Sequence, residues 1–286
     1  MMLKNMYKRL RSSRAYRRFK RNKLAIVGAG IIFIFLIMAI FAPIIAPRHP
    51  QTLNPNSSLK PPCAEFPFGT DNIGRDIFSW VIWGARVSFI VGVGAVLIEL
   101  IIGISVGMIA GYFGGWFDHF LMRITDVMLC LPSIILIIVA SAMFATRSIY
   151  LITVIMGVLG WPWMARVVRA QFLSLKELSN VEAAKSIGVS DFRIILRHIL
   201  PSALPSVIVL ATLDIPWYIL YEAALSFLGL GDPTSVSWGM MVNIGKQFLR
   251  VAPWVTTFPG LATFLLALGF NLFGDGLRDA LDVRLR

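Results

Sequence analysis

The chain has 286 residues, 57% of them hydrophobic and only 15% charged, with a mean hydropathy of +0.75. That mix excludes an ordinary soluble domain and leaves a polytopic membrane protein. A formal net charge of +12 would suit a nucleic-acid binder, but the basic residues gather where membrane orientation puts them, so no nucleic-acid partner is expected.

The first 23 residues hold ten Lys or Arg and no acid. The positive-inside rule therefore predicts a basic cytoplasmic tail over 1–23, followed by a first transmembrane helix over 24–46. That apolar stretch is too long for a signal-peptide core and lacks a small-x-small cleavage site, so it reads as a retained span. Pro47, Pro50, Pro55, Pro61, Pro62 and Pro67 then make 47–68 an irregular outer loop, closed by Phe68-Gly69-Thr70-Asp71. Residues 74–88 read as an interfacial helix, with Trp80 and Trp83 at headgroup level and Arg75, Asp76 and Arg86 near its ends. This divides the chain into a tail (1–23), a first helix (24–46), an extracytoplasmic loop with its interfacial helix (47–85) and a five-helix core (86–286).

Further apolar runs long enough to cross the hydrocarbon occur over 87–111, 127–145, 148–165, 202–221 and 255–274. The fold class is thus all-α, with six transmembrane helices and both termini cytoplasmic. In the second span Glu99, Gly103, Gly107 and Gly111 follow at i+4 steps, a small-residue stripe that lets another helix approach closely, in this chain or in a partner. An unpaired charge at the depth of Glu99 costs at least about 2.5 to 3.5 kcal/mol, so Glu99 is expected to be protonated or hydrogen-bonded, as a functional group or as a link between helices. Asp126 lies near the inner surface, Glu222 near the outer one and Asp214 about midway in the fifth span, which makes Asp214 the better candidate for lining a polar path.

Between the fourth and fifth spans lies a polar segment within the cytoplasmic loop 166–201. Ser179 with Glu182 three residues later fits a capping box, and Ala183 and Ala184, followed by Lys185, keep the helix surface low. Gly188 ends that helix. Ser190 is a good N-cap for a second one, Asp191 suits its positive end, Arg193 and Arg197 share a face, and Pro201 sits at its far end. Two short helices joined by a tight turn are predicted, on the side of the membrane where a soluble protein can reach them.

There is no Gly-rich loop ending in Gly-Lys-Ser or Gly-Lys-Thr, no His-Glu-x-x-His pair and no Gly-x-Ser-x-Gly elbow. His49, His119 and His198 are scattered, and Cys63 and Cys130 fall in different compartments. No catalytic residue, metal site or ATPase activity of the chain itself is expected.

The pattern Glu182-Ala183-Ala184, three residues, then Gly188 resembles the cytoplasmic Glu-Ala-Ala loop of permease subunits in ATP-binding-cassette importers. Glu222-Ala223-Ala224 repeats the tripeptide, but Leu228 stands where the glycine belongs. Three further stretches resemble one branch, the second permease (DppC or OppC) of dipeptide and oligopeptide importers. They are Phe68-Gly69-Thr70-Asp71 with Gly74-Arg75-Asp76 and Gly84-Ala85-Arg86; 222–231 followed by Ser237-Trp238-Gly239; and the ending that starts at Phe270-Asn271-Leu272-Phe273-Gly274-Asp275-Gly276. The resemblance covers nearly the whole chain. It implies a type I importer (MetI-like) permease fold, a homologous second permease, two ATPase subunits that carry ATP and Mg, an external substrate-binding protein and a lipid bilayer around them. It also implies that Ser179 to Pro201 is the coupling element, and that cargo is a dipeptide or longer peptide, with nickel chelates and oligosaccharides carried by other relatives.

Two rival readings stand beside it. Ala184 to Ser190 also fits the turn of a helix-turn-helix, but about 36 residues between spans are too few for a DNA-binding core and its linkers. A stand-alone ion-coupled carrier using Glu99 or Asp214 is the other, and the absence of matching interrupted helices in two halves counts against it.

Overall fold

The computed structural model describes residues 14–144 and 147–281. The first 13 residues of the basic tail, the expected end of the third span at Ala145, and Arg284 and Arg286 lie outside the described residues.

Helices α1 (Arg14–Arg21), α2 (Lys23–Ile40) and α3 (Ala42–Ile45) lead in. Asn22 separates the first two and caps α2, its side-chain oxygen accepting from the Ala25 N–H. The long helices are α4 (Ile77–Phe113), α7 (Ile149–Leu175), α10 (Leu200–Phe227) and α12 (Trp254–Leu281); among the described residues no strand forms. Among the described residues five helical stretches are long and apolar enough to cross a membrane, and the pair α5 (Gly115–Cys130) and α6 (Ser133–Ala142) makes a sixth if counted as one span.

That pair interrupts the apolar run expected to span over 127–145. Its two helices meet at 85°. Pro132 has no N–H to donate and forces the preceding residue out of helical geometry, and Leu131 indeed sits at φ −94°, ψ 135°. The interfacial helix expected over 74–88 is also corrected: it is the start of α4, capped by Asp76, whose carboxylate accepts from the Ser79 N–H and hydroxyl. Nothing breaks the helix between Ile77 and Phe113, so its 37 residues run about 55 Å, well beyond one hydrocarbon thickness. Trp80 is not at a lipid headgroup; it is buried, with its indole N–H donating to the Pro50 carbonyl and Arg75 lying 4.1 Å from the ring centre.

The small-residue stripe packs inside the chain. A β-carbon at Gly103 would lie 2.7 Å from Met164 Cβ, at Gly107 2.5 Å from the Ala165 carbonyl oxygen, and at Gly111 2.6 Å from Phe172 Cβ. From the other side, one at Gly157 would meet Ile98 Cβ at 2.6 Å. Helices α4 and α7 therefore touch backbone to backbone, the contact that dispersion rewards when lipid supplies no hydrophobic drive. A similar seam joins α2 to α12, where a β-carbon at Gly28 would lie 2.6 Å from the Gly269 carbonyl oxygen and one at Gly276 2.1 Å from Ala25 Cβ.

Residues 47–76 are irregular but packed. Phe66 and Thr70 are buried, Asp71 pairs with Arg75 at 2.5 Å, Phe68 stacks on Phe258 at 4.0 Å, and the Trp254 indole donates to the Thr70 carbonyl. The stretches that carried the resemblance converge nearby. The Trp238 indole, at the start of α11 (Trp238–Gly245), donates to the Val81 carbonyl over 2.9 Å and fills the space beside Gly84, while Gly239 leaves room for the Ala223 backbone.

Candidate functional site

Two places hold the residues singled out from sequence. The first is the polar segment. Helix α8 (Ser179–Ser186) forms, but Leu178 and not Ser179 is its N-cap, and no side-chain bond closes a capping box. The correction is one residue: Ser179 already has helical geometry, so Glu182 stands one position past the place from which it could reach back. Gly188 does end the helix, at φ +78°, with the Val189 N–H donating to the Ala184 carbonyl. Ser190 occupies the next N-cap position, with no side-chain cap bond.

The predicted second short helix is not separate. Helix α9 (Asp191–Ile194) passes through a π turn (Ile195–Ile199) directly into α10, and Pro201 lies in the first turn of α10, not at a far end. Proline tolerates that place because the wider turn moves the ladder past the missing N–H; the Leu200 N–H donates five residues back, to Ile195.

Val181 and Ala184 of α8 face inward and are buried, while Glu182, Ala183 and Lys185 are exposed. Leu178, Ile187 and Phe192 are also exposed, Ile187 at 80% and Phe192 at 74%. Arg193 and Arg197 lie in the open on one face, as their spacing requires. The segment is tied to α4 by the Tyr112 hydroxyl, which donates to Asp191 Oδ1 over 2.5 Å, and by Lys185, 5.5 Å from the Tyr112 ring centre.

The second place lies between α4, α6, α7 and α10. Glu99, 2% exposed, accepts from the Tyr218 hydroxyl over 3.0 Å. Asp214 faces the same cavity of about 250 Å³, walled by Met156, Trp163, Trp217, Tyr218 and Tyr221. The Asp214 carboxyl lies close enough to Glu99 to share a hydrogen bond with it, and among the described residues no N–H reaches its buried Oδ2. Sequence reasoning named both carboxylates but missed the aromatic walls. The signal was present for two of them, because Tyr218 and Tyr221 follow Asp214 at i+4 and i+7 on one helix face.

The remaining candidates lie elsewhere and have partners within the chain. Glu222 is buried and accepts from the Ser226 hydroxyl one turn on, at 2.6 Å. Asp126 pairs with Arg166 at 2.6 Å, both half exposed, and the unforeseen Asp118 grips Arg169 with both oxygens at 2.5 and 2.6 Å. Outside the helices, Asp232 accepts from the Ile149 N–H at the start of α7 and from the N–H and hydroxyl of Thr234. Burial raises its affinity for a proton, but these bonds outweigh that and hold the carboxyl below its ordinary value. Among the described residues no group of His, Cys, Asp and Glu could hold a metal.

The family model described as the binding-protein-dependent transport system inner membrane component matches residues 103–286. The chain belongs to that family. A second model, the N-terminal transmembrane domain of oligopeptide transport permease C, matches residues 11–62. The chain is 45% identical over 273 residues to the dipeptide transport system permease protein DppC of Alkalihalophilus pseudofirmus, covering 95% of this chain and 90% of that one. It is 42% identical to the oligopeptide transport system permease protein OppC of Bacillus subtilis (94% and 88% covered) and 42% identical to the glutathione transport system permease protein GsiD of Escherichia coli O157:H7 (95% and 90% covered). Its fold matches a chain of the MetNI methionine ABC transporter in an inward-facing conformation, with a TM-score of 0.53 at 18% identity, over 69% of this chain and 96% of that one. The protein is therefore a multi-pass inner membrane permease subunit of an ABC importer with the MetI-like fold.

Proposed function

We propose that the chain forms half of a translocation pathway for dipeptides or longer peptides, driven by ATP hydrolysis on two partner subunits that dock against Leu178 to Arg197. The observation that carries this is continuity: the exposed face of α8 is followed, after one glycine turn, by a helical rod from Asp191 to Phe227 that bears Asp214 about two-thirds of the way along. A push on the segment reaches the cavity through the Gly188 turn and one continuous helical rod. The exposed Leu178, Ile187 and Phe192 offer an apolar patch and Glu182 a charged acceptor for a groove on an ATPase. The placement of the segment in the cytoplasm rests on the basic N-terminal tail.

In this reading a homologous second permease completes the pathway and an external binding protein delivers cargo, while ATP and Mg stay on the ATPases. Closure of the ATPase pair would tilt the α8 to α10 unit towards an outward-facing state, and hydrolysis would reset it. The names of the 42 to 45% identical relatives support peptides and glutathione as the cargo class.

Glu182→Lys tests the coupling. The variant is expected to reach the membrane at normal abundance while losing ATPase co-purification and peptide uptake; normal uptake overturns the assignment. Transport by the purified chain alone, driven by a proton gradient, would instead establish the ion-coupled carrier that Glu99 and Asp214 otherwise suggest.

A further inference from the structure

We propose that the cavity between α4, α6, α7 and α10 binds the primary ammonium group of a passing peptide, with Asp214 as its counter-charge, Glu99 beside it and Trp163, Trp217, Tyr218 and Tyr221 as an aromatic wall. This rests on the peptide-importer reading and deepens it.

Three independent features converge there. Asp214 and Glu99 lie close enough to share a hydrogen bond, Glu99 also accepts from Tyr218, and among the described residues no N–H reaches Asp214 Oδ2. Two neighbouring carboxyls that share a proton still offer more acceptor positions than donors, and a ligand with several N–H groups fills them. The walls are aromatic: two indoles and two phenol rings line the same space, the surroundings that attract an ammonium through the ring faces. There is also room. About 250 Å³ lies beside the two carboxyls, space enough to admit one end of a peptide.

Access and depth narrow the ligand further. Trp163 and Trp217 are 50% and 59% exposed, so the cavity opens at the side of the chain and is not sealed. Asp214 lies in the fifteenth position of the 28-residue α10, about 20 Å from either end of the helix, beyond the reach of an ethanolamine lipid headgroup at the bilayer surface. A peptide amino terminus in transit arrives at that depth.

The test uses the whole importer, purified through this chain and held in phosphatidylcholine discs without its binding protein. Dialanine and tetra-alanine are titrated against their N-acetylated forms and potassium chloride, with tryptophan fluorescence as the readout. The free peptides are expected to change the signal and the acetylated forms not to, with most of the change lost in Trp217→Phe. Asp214→Asn is expected to weaken the response by about tenfold or more, the loss of one charge-assisted hydrogen bond, and Asp214→Glu to restore part of it. Membrane abundance of Asp214→Asn is measured alongside, and the partial rescue by Glu distinguishes a binding role from a folding one. Equal responses to free and acetylated peptides, a response to potassium chloride of the same size, or an unchanged Asp214→Asn titration overturns the inference alone. If the wild-type importer, supplied with its binding protein, takes up neither peptide into vesicles, the peptide reading fails and the inference falls with it.

Discussion

The Tyr218 hydroxyl donates to Glu99 Oε2 over 3.0 Å and so links α10 to α4 across 119 residues of sequence. Gly160 of α7 makes room for it: a β-carbon there would lie 1.7 Å from the same hydroxyl. Three helices thus meet at one oxygen. Gly160→Ala should drive the phenol off Glu99, and Tyr218→Phe should remove the donor while keeping the ring. Each leaves a buried acceptor short of a partner, so each should lower stability by about 1 kcal/mol, the scale found for hydrogen bonds between helices in membranes. Thermal unfolding of the detergent-solubilised protein checks this; two variants as stable as wild type would show the bond contributes nothing.

Replacing Gly107 tests the seam between α4 and α7. The nearest atom to a new β-carbon is the Ala165 carbonyl oxygen, at 2.5 Å, which is backbone and cannot rotate away. Gly107→Val should therefore part the helices and cost about 1 to 3 kcal/mol, as overpacked cores do. Gly30→Ala is the control, since nothing lies within 4 Å of its added carbon, and it should be neutral or slightly stabilising.

At Gly188 the expectation is different, because space is free there and only the backbone angle is demanding. Left-handed geometry costs about 1 to 2 kcal/mol for a residue with a β-carbon, less for Asn. Gly188→Asn should keep more ATPase co-purification than Gly188→Val at equal membrane abundance. The reverse order would show that the turn is not what matters.

Asp232 gives a pH dependence with a definite sign. Its carboxyl is held below the ordinary value, so the folded state gains from it when it is ionised. The gain is present above the unfolded-state value near 3.8 and is lost as pH falls through the lower folded-state value. Between pH 7 and 5 the clasp from Asp232 to Ile149 and Thr234 should hold; only below about pH 3.9, the usual carboxylate value, should it open. Amide exchange at Ile149 and Thr234, corrected for intrinsic rates, should show constant protection down to pH 5. Asp232→Asn should lose part of that protection at every pH.

Much of this architecture is written locally in the chain. The apolar runs mark the spans, Gly103, Gly107 and Gly111 announce a close helix contact at their own spacing, and Gly188 marks the turn it makes. What local reading missed has identifiable causes. Ser179 carries the side chain that suits a cap, yet the helix is capped one residue earlier, at Leu178, with Val181 and Ala184 turned inward. Leu131-Pro132 did carry a break, but the apolar run on both sides hid it. Pro201 looked like a terminus because proline ends most helices, whereas the π turn before it lets the rod continue. The pairings of Tyr218 with Glu99 and of Asp118 with Arg169 join residues 119 and 51 positions apart, and no periodicity within one helix encodes such a meeting.

The seam between Gly28 and Gly269 has a consequence for how the first span can vary. One family model ends at residue 62 and the other begins at 103, so α2 belongs to a module of its own, yet it meets α12 with two bare backbones. A β-carbon at Gly28 would meet the Gly269 carbonyl and the Phe273 amide, which cannot yield without moving the helix, and one at Gly269 would press on the Ile31 side chain. Exchange of the N-terminal 62 residues between relatives should therefore succeed only where donor and recipient both keep a glycine at this crossing, making the seam a compatibility lock between the two modules.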